Sequence, residues 1–325
     1  MTDGGNHMMK PGYIEKDGYL FGKILQHSGA LKDAIYFSDR ISSDDVMYIN
    51  ENLISKIILD FTTGGTIDLS ILDDLKCLEY LDIYGIIDAT LLPPISRLKL
   101  LRVHSKSLIE LVKFPNLEVI STNTPNQLIG IDKLKKIKSV TIIGRSEPCS
   151  QKVLDEVGAI RTIDTLNIQR SVMRDLSFLR NVPNLQVLIL MQNARLLNID
   201  SLESSTKALT CLKIIRSSKI ESFSRLSSLP SLEYLYIDTC NKISDLSFIY
   251  DLPKLRAAVF AQTNILDGNL TPLMKLDYGV AIPIKSHYYA IRNKVHEHVK
   301  LGQFPLTEAS HGDENIESWR RIDTW

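Results

Sequence analysis

Residues 232–255 read LEYLYIDTCNKISDLSFIYDLPKL, and this stretch decides the fold because its pattern returns along the chain. Leucine and isoleucine fall at spacings of two and three within it. A pattern that returns with a period of about 20 to 50 residues indicates stacked repeats. The motif Leu-x-x-Leu-x-Ile, with substitutions, recurs in ten copies whose starts lie 19 to 26 residues apart, at Ile54, Leu78, Leu98, Leu117, Ile137, Ile163, Leu185, Leu209, Leu232 and Leu255.

Each copy is predicted to hold one short strand followed by a tight return. The period of two in a strand places Leu235 and Ile237 on one face and Tyr236 on the other. We expect this strand to span about three residues. After it, every third residue is apolar, which favours a 3₁₀-helical or extended return, at Ile243, Leu246, Ile249, Leu252 and Leu255. Stacked layers would bury a continuous apolar column, at about 1.5–3 kcal/mol per fully buried side chain.

These repeats resemble those of the leucine-rich repeat superfamily, in the short bacterial type of internalin-like proteins. The resemblance covers about residues 53–276 and is best at DLSFL, residues 175–179, which precedes NVPNLQVLIL; DLSFI at residues 245–249 repeats it. It implies an α/β solenoid in which about ten strands form a curved parallel sheet. Short or irregular segments would run along the convex side, and a cap would close each end.

One position of the family pattern divides the array into two halves. The family places Asn, Cys or Thr eight residues after the first leucine of a copy, where the side chain bonds neighbouring backbone. The matching residues are Asn193, Cys240 and Thr263, and the departures are Ile86, Lys106, Pro125 and Arg145. The first half of the array is therefore expected to be irregular.

Three regions are predicted: a tail and cap over 1–52, the array over 53–276, and a cap or tail over 277–325. In the first region, GYIEKDGYLF indicates a hairpin across Asp17 and Gly18, and SSDDVMYINENL indicates a helix with Ser43 as N-cap. SQKVLDEVGAI, in the 26-residue copy, predicts a helix on the convex side. The last region holds a predicted strand, LDYGVAIPI, and a predicted helix, SHYYAIRNKVHEHVKLG; its two tryptophans are interpreted as a lid, or alternatively as a partner-binding tail, at Trp319 and Trp325.

Composition argues against several classes of partner. The chain has 38 basic and 38 acidic side chains, so no global field attracts it to nucleic acid or to an acidic membrane. We find no signal peptide and no apolar stretch long enough to span a bilayer. The cysteines are scattered, which favours a reducing, cytoplasmic location over secretion, although export by another route stays open; they are Cys77, Cys149, Cys211 and Cys240.

Catalytic and metal-binding signatures are missing from the sequence. In HEHVK, residues 296–300, Lys300 takes the place of the second histidine of a helical zinc site. Some bacterial repeat proteins that resemble this array carry a ubiquitin ligase with a Cys-x-Asp motif, which none of the four cysteines forms. The lysines of KLKK, residues 133–136, stand beside Asp132 and form no basic stripe. We therefore expect no catalytic residue, no metal and no cofactor.

The outward residues of the strands are the candidate binding surface. In a solenoid of this type the strands line the inner curve, so these side chains form a continuous concave face. Tyrosine and arginine are enriched at binding hot spots, and exposed apolar runs mark interaction sites. Packing of the pleated sheet is the alternative explanation for the same residue types. The predicted partner-binding residues are Tyr80, Asp82, Tyr84, Arg102, His104, Ile189, Met191, Lys213, Ile215, Tyr234, Tyr236 and Asp238.

The favoured function is a monomeric, non-catalytic, cytoplasmic module that binds another protein, with no nucleic-acid or membrane partner. One alternative is an immunity or antagonist protein that neutralises a toxin or effector. A second alternative is a self-associating scaffold that uses its edge strands. A third is an enzyme whose chemistry lies in the caps, around His287, His296, His298 and His311.

Overall fold

Strands that follow one another in the chain lie next to one another in a long, mostly parallel sheet. The structure, a computed structural model, describes residues 13–25, 31–63, 67–202, 207–283 and 285–289. Over these residues the sheet has fourteen strands: β1 Ile14–Lys16, β2 Tyr19–Leu25, β3 Leu31–Phe37, β4 Lys56–Asp60, β5 Tyr80–Tyr84, β6 Leu100–Arg102, β8 Val119–Thr122, β10 Ser139–Ile143, β11 Thr165–Gln169, β12 Val187–Met191, β13 Cys211–Ile215, β14 Tyr234–Asp238, β15 Ala257–Ala261 and β16 Tyr278–Ile282. Two further short strands, β7 Ile109–Glu110 and β9 Leu128–Ile129, pair with each other behind it.

The N-terminal region forms the predicted hairpin and helix. Strands β1 and β2 pair antiparallel across Asp17 and Gly18, both left-handed at φ 52° and 81°, as a two-residue hairpin turn requires. Helix α1, Ser43–Glu51, is capped by Ser42 and not by Ser43 as predicted. The Ser42 hydroxyl accepts the Asp45 N–H at 3.3 Å, and the Asp45 carboxylate accepts the Ser42 N–H at 2.6 Å. This reciprocal capping box selects Ser42.

From β3 onward all neighbouring strands of the sheet are parallel and in register. Leu235 of β14 pairs with Leu212 of β13 and Ala258 of β15, and these side chains are fully buried in the core. Most strands span five residues, not the predicted three, because each is paired on both sides and the pairing extends beyond the alternating apolar pair. The opposite face of the sheet is the predicted concave face.

The returns behind the sheet are short 3₁₀ helices, as the spacing of three predicts. Several begin where an aspartate accepts the N–H two residues ahead, as Asp175 does from Ser177 at 2.8 Å. The 26-residue copy holds instead α2, Gln151–Gly158, which buries Val153, Leu154 and Val157. The 3₁₀ helices are Phe61–Thr63, Leu69–Asp74, Ala89–Leu91, Leu111–Lys113, Pro125–Gln127, Ile131–Lys133, Ser177–Asn181, Ser224–Ser228, Ser247–Asp251 and Thr271–Lys275.

A left-handed residue ends the strand in five successive repeats of the second half. None of the five is glycine, and their φ angles lie between 48° and 57°. Each N–H donates to the next repeat; that of Gln192, for example, donates to the Ile215 carbonyl at 2.8 Å. These residues are Arg170, Gln192, Arg216, Thr239 and Gln262. They form one continuous row along the carboxyl edge of the sheet.

The residues that follow the left-handed positions form hydrogen bonds from repeat to repeat, and together they make a side-chain ladder along the array. Asn193 accepts from the Ser171 N–H at 2.9 Å, and Cys240 donates its N–H to Thr263 Oγ1 at 3.2 Å. In the first half, an equivalent hydrogen bond joins residues that stand seven, and not eight, positions after the first leucine of their copies: the Ser105 N–H donates to Thr124 Oγ1 at 3.0 Å. The Leu98 and Leu117 copies, which contain these two residues, have no left-handed residue before them and are 19 and 20 residues long. These copies are shortened, and they keep the ladder.

Strand, ladder and return together are the unit of a leucine-rich repeat solenoid, so the predicted fold and the resemblance are confirmed at the level of the fold. The predicted strand in LDYGVAIPI is β16. The predicted C-terminal helix lies mostly outside the described residues, and Trp319 and Trp325 lie entirely outside them. Neither α-helix in the described part of the chain has the length and apolar character needed to cross a bilayer.

Candidate binding surface

The most continuously accessible part of the concave face is the row of side chains at the carboxyl ends of the strands. From Ile143 to Ile282, seven of them pair in register across seven neighbouring strands. At the strand spacing of about 4.8 Å these seven cover roughly 29 Å. All members of this open row are at least partly exposed: Tyr84, His104, Asn123, Ile143, Gln169, Met191, Ile215, Asp238, Ala261 and Ile282.

The row along the middle of the concave face is mostly buried. Asp82 is fully buried, and Ile189 and Lys213 are 3% and 4% exposed. Tyr234, which lies one position closer to the amino edge, is 7% exposed. Sequence periodicity assigns a side chain to a face, but it does not predict how far neighbouring side chains cover it. Four of the twelve predicted binding residues are therefore on the predicted face but are not accessible on it.

Two tyrosines from the N-terminal cap join the first end of this face. Tyr13 packs edge-on against Tyr36 with ring centroids 4.9 Å apart, and the Tyr36 hydroxyl donates to Asp60 at 2.7 Å. Tyr36 belongs to a small buried cluster with Ile58, against which the half-buried Tyr80 packs. These tyrosines were not predicted from the sequence to lie on the face; they join it because β3, which precedes the first repeat, pairs with β4 and extends the same sheet.

A partly buried charged group occupies the face next to this cluster. Arg102 lies 2.5 Å from Asp82, and the other Asp82 oxygen has no hydrogen-bond partner among the described atoms. Burial raises the pKa of Asp82 to about 6, although the Arg102 guanidinium acts in the opposite direction. Burial also raises the pKa of Tyr84, and the Asp82 carboxylate adds to the effect. Asp82, Tyr84 and Arg102, three of the predicted binding residues, thus form one electrostatic unit.

His104 is a neutral acceptor beside this unit. Its Nδ1 accepts the Asn123 N–H at 3.0 Å, a bond that protonation of Nδ1 would break. Burial lowers the pKa of His104 to about 4, and the Arg102 charge lowers it further. His104 is therefore uncharged at neutral pH and offers a partner an imidazole with no charge.

Asp82 and His104 are expected to give opposing pH dependences of stability. The raised pKa of Asp82 means that the folded chain binds its proton more tightly, so this contribution to the free energy of unfolding falls as pH rises from about 4 to 6. The lowered pKa of His104 makes its contribution rise between about 4 and 6.5. As pH rises through this window, the free energy of unfolding of Asp82→Asn should increase by about 1–2 kcal/mol relative to that of wild type. That of His104→Gln should decrease by a similar amount relative to wild type.

Urea unfolding at several pH values between these limits measures both effects. The other titrating groups are common to all three proteins, so each difference from wild type isolates one residue. Parallel stability curves for the two variants and wild type would contradict the two pKa shifts.

The other end of the face is more apolar. Val187, Ile189, Cys211 and Tyr234 form a buried cluster, and Tyr236 packs against it with part of its surface exposed. The Lys213 ammonium lies 5.4 Å from the centre of the Tyr236 ring. The open row passes this cluster as Met191, Ile215 and Asp238. Four predicted binding residues, Met191, Ile215, Tyr236 and Asp238, are therefore brought together in an accessible position here.

The described residues show little reactive chemistry. They contain no group of three or more histidine, cysteine or acidic side chains placed to hold a metal ion. Burial raises the pKa of Cys149 and Cys211 to about 12 and that of Cys240 to about 11, so these three are thiols at neutral pH. Three of the four histidines named for the enzymatic alternative, His296, His298 and His311, lie outside the described residues.

The sequence matches no family model and no curated protein. The solved structures to which the fold is similar include leucine-rich repeat proteins. Internalin C2 of Listeria monocytogenes is 21% identical at a TM-score of 0.40, over 54% of this chain and 77% of that one. An internalin of the same species, internalin F, is 17% identical at a TM-score of 0.40, over 79% and 85% of the two chains. A repeat protein of Leptospira interrogans is 16% identical at a TM-score of 0.42, over 75% of each chain. Likeness this low carries no functional inference, and the fold assignment rests on the repeat geometry.

Proposed function

We propose that this chain is a non-catalytic module that binds another protein along the open row. The observation that carries the proposal is the continuity of the row: accessible side chains in register from β10 to β16, with Ile143, Met191 and Ile215 among them. Apolar side chains in an accessible row on a sheet face are typical of protein interaction sites.

Chemically distinct ends of the row favour a protein over a small ligand. Tyr84 and His104 lie near Arg102 at one end, while Met191 and Ile215, with Tyr236 beside them, lie several strands away. A partner that contacts both ends must span much of the sheet, which suits the area of a protein interface. Tyrosine, arginine and methionine are also the residue types enriched there.

The four cysteines support a reducing compartment as the place where this binding occurs. Cys77, Cys149, Cys211 and Cys240 are all free thiols, and no two of them form a disulfide in the described part of the chain. Disulfides are instead common in small secreted domains.

Substitution of single residues on the row should weaken capture of the partner and leave the fold intact. Tyr84→Ala and Met191→Ala on the row, and Tyr236→Ala directly beside it, remove partly exposed side chains. A hot-spot residue among them should cost about 2 kcal/mol of binding, roughly 30-fold in Kd. Affinity capture from host lysate, read by mass spectrometry, identifies the partner, and titration of the purified pair gives each Kd.

Matched controls lie on the return side of the sheet. Tyr250 is 53% exposed and Met274 48% exposed, each in a 3₁₀ helix behind the sheet. Tyr250→Ala and Met274→Ala should leave the Kd unchanged. Equal losses for the control and the row variants, or no loss for any row variant, would contradict binding along the open row.

A further inference from the structure

Four exposed cations lie together at the carboxyl edge of the sheet, in three successive repeats. Arg170 and Arg216 occupy the row of left-handed residues immediately beyond the open row. Arg195 and Lys219 follow two residues after the ladder residues Asn193 and Ser217. All four cations are exposed. We name these four residues the basic edge.

Backbone hydrogen bonds place the members of the basic edge in register. The N–H of Leu197 donates to the Arg174 carbonyl at 2.8 Å, and the N–H of Glu221 donates to the Leu197 carbonyl at 2.9 Å. Arg195 and Lys219, two residues before Leu197 and Glu221, therefore hold the same position in neighbouring repeats. Neighbouring repeats are about 4.8 Å apart in the sheet, so the four charges are concentrated in a short strip.

The cations at the two edges of the sheet differ in whether they pair with acidic side chains. At the amino edge, cations pair with acids of the adjacent repeat: Lys99 with Glu79 at 2.8 Å, and Lys138 with Glu118 at 3.5 Å. The four cations of the basic edge make no salt bridge within the described residues. The Arg170 Nε donates to the neutral side chain of Gln192 at 2.6 Å. The chain as a whole has no net charge. The basic edge nevertheless has a local positive charge, whereas the cations named at the amino edge are neutralised by acids of the adjacent repeat.

We propose that the basic edge binds an acidic segment of a protein. Its charges are complementary to carboxylates, and it lies directly beside the apolar members of the open row, Met191 and Ile215. A nucleic-acid backbone, negative at every step, would also meet Glu221 and Asp238 in the same strip, whereas a peptide can place its acids opposite the cations alone. The acidic segment therefore belongs to a peptide, and electrostatic attraction makes its binding dependent on salt.

Fluorescence anisotropy with a labelled oligoglutamate peptide tests the basic edge in the full chain. Wild-type protein should bind the peptide at low salt and release it as salt rises. Arg170→Gln, Arg195→Gln, Arg216→Gln and Lys219→Gln combined should weaken binding about tenfold. The control combines Lys99→Gln, Lys138→Gln and Arg256→Gln at the amino edge, where Arg256 pairs with Asp277 at 3.1 Å. It should bind the peptide like wild type.

Several results would overturn the proposal. The first is that wild-type protein does not bind the peptide. The second is that the two combined variants lose the same affinity for the peptide while their circular dichroism is unchanged. The third is that wild-type protein binds a labelled oligothymidine more tightly than the peptide. The measurement needs no partner of the concave face, and Tyr236→Ala should leave peptide binding unchanged. The peptide assay can therefore refute binding at the basic edge without refuting binding along the open row, and the capture experiment can do the reverse.

Discussion

Asn193→Ala is expected to lower the free energy of unfolding by about 3–5 kcal/mol, a large share of the stability of an ordinary domain. Asn193 is fully buried, and its amide connects two repeats. Its oxygen accepts from the Ser171 N–H at 2.9 Å and the Ser171 hydroxyl at 2.8 Å, and its nitrogen donates to the Ile168 carbonyl at 3.0 Å. Alanine would remove these bonds where water cannot replace them.

Urea unfolding of Asn193→Ala beside Asn184→Ala checks this expectation. Asn184 also donates across repeats, to the Arg161 carbonyl at 3.0 Å, but it is exposed. Water can replace its partner, so Asn184→Ala should cost less than about 1 kcal/mol. Similar losses for the two variants would show that the buried ladder contributes no more than a surface hydrogen bond.

Gly158→Ala is expected to destabilise the protein by about 3 kcal/mol, although glycine to alanine in an exposed helix stabilises by up to about 1 kcal/mol. Gly158 ends α2 where this helix meets the next repeat. A Cβ there would lie 2.1 Å from the carbonyl oxygen of Phe178 and 2.9 Å from its carbonyl carbon. Both atoms are backbone, so the helix or the following 3₁₀ helix would have to move.

Thermal and urea unfolding measure this effect, with Lys152→Ala as the control in the same helix. Lys152 is exposed, and its ammonium lies 3.9 Å from Glu156. Its replacement should change stability by no more than about 0.5 kcal/mol. If Gly158→Ala were neutral or stabilising, α2 would not pack against Phe178 as described.

The repeated strand and its faces were predictable because they depend on local periodicity. Alternation in each copy assigns Leu235 and Ile237 to the core, and equal spacing from the first leucine aligns the copies, so that Tyr236 falls beside Lys213 in the sheet. The helical stripe of SQKVLDEVGAI likewise predicts α2. These features follow from which residues are apolar and how far apart they stand.

Other features depend on contacts between repeats and could not be predicted in the same way. The five left-handed residues of the second half are not glycine, so the sequence does not mark them, and Arg170 and Arg216 were not linked as one edge. The ladder of the first half was missed because Ser105 and Thr124 stand one residue earlier in their copies. Burial of Lys213 and Ile189 depends on neighbouring strands and not on their own face.

The most direct test of the account places a photoreactive amino acid at single positions and cross-links in host cells. Position 215, on the open row, and position 250, in the 3₁₀ helix behind the sheet, form a matched pair. Binding along the open row predicts that Ile215 replacement yields a specific cross-linked protein and that Tyr250 replacement does not. Cross-linking of the same protein from position 250 alone, or equally from both positions, would contradict it.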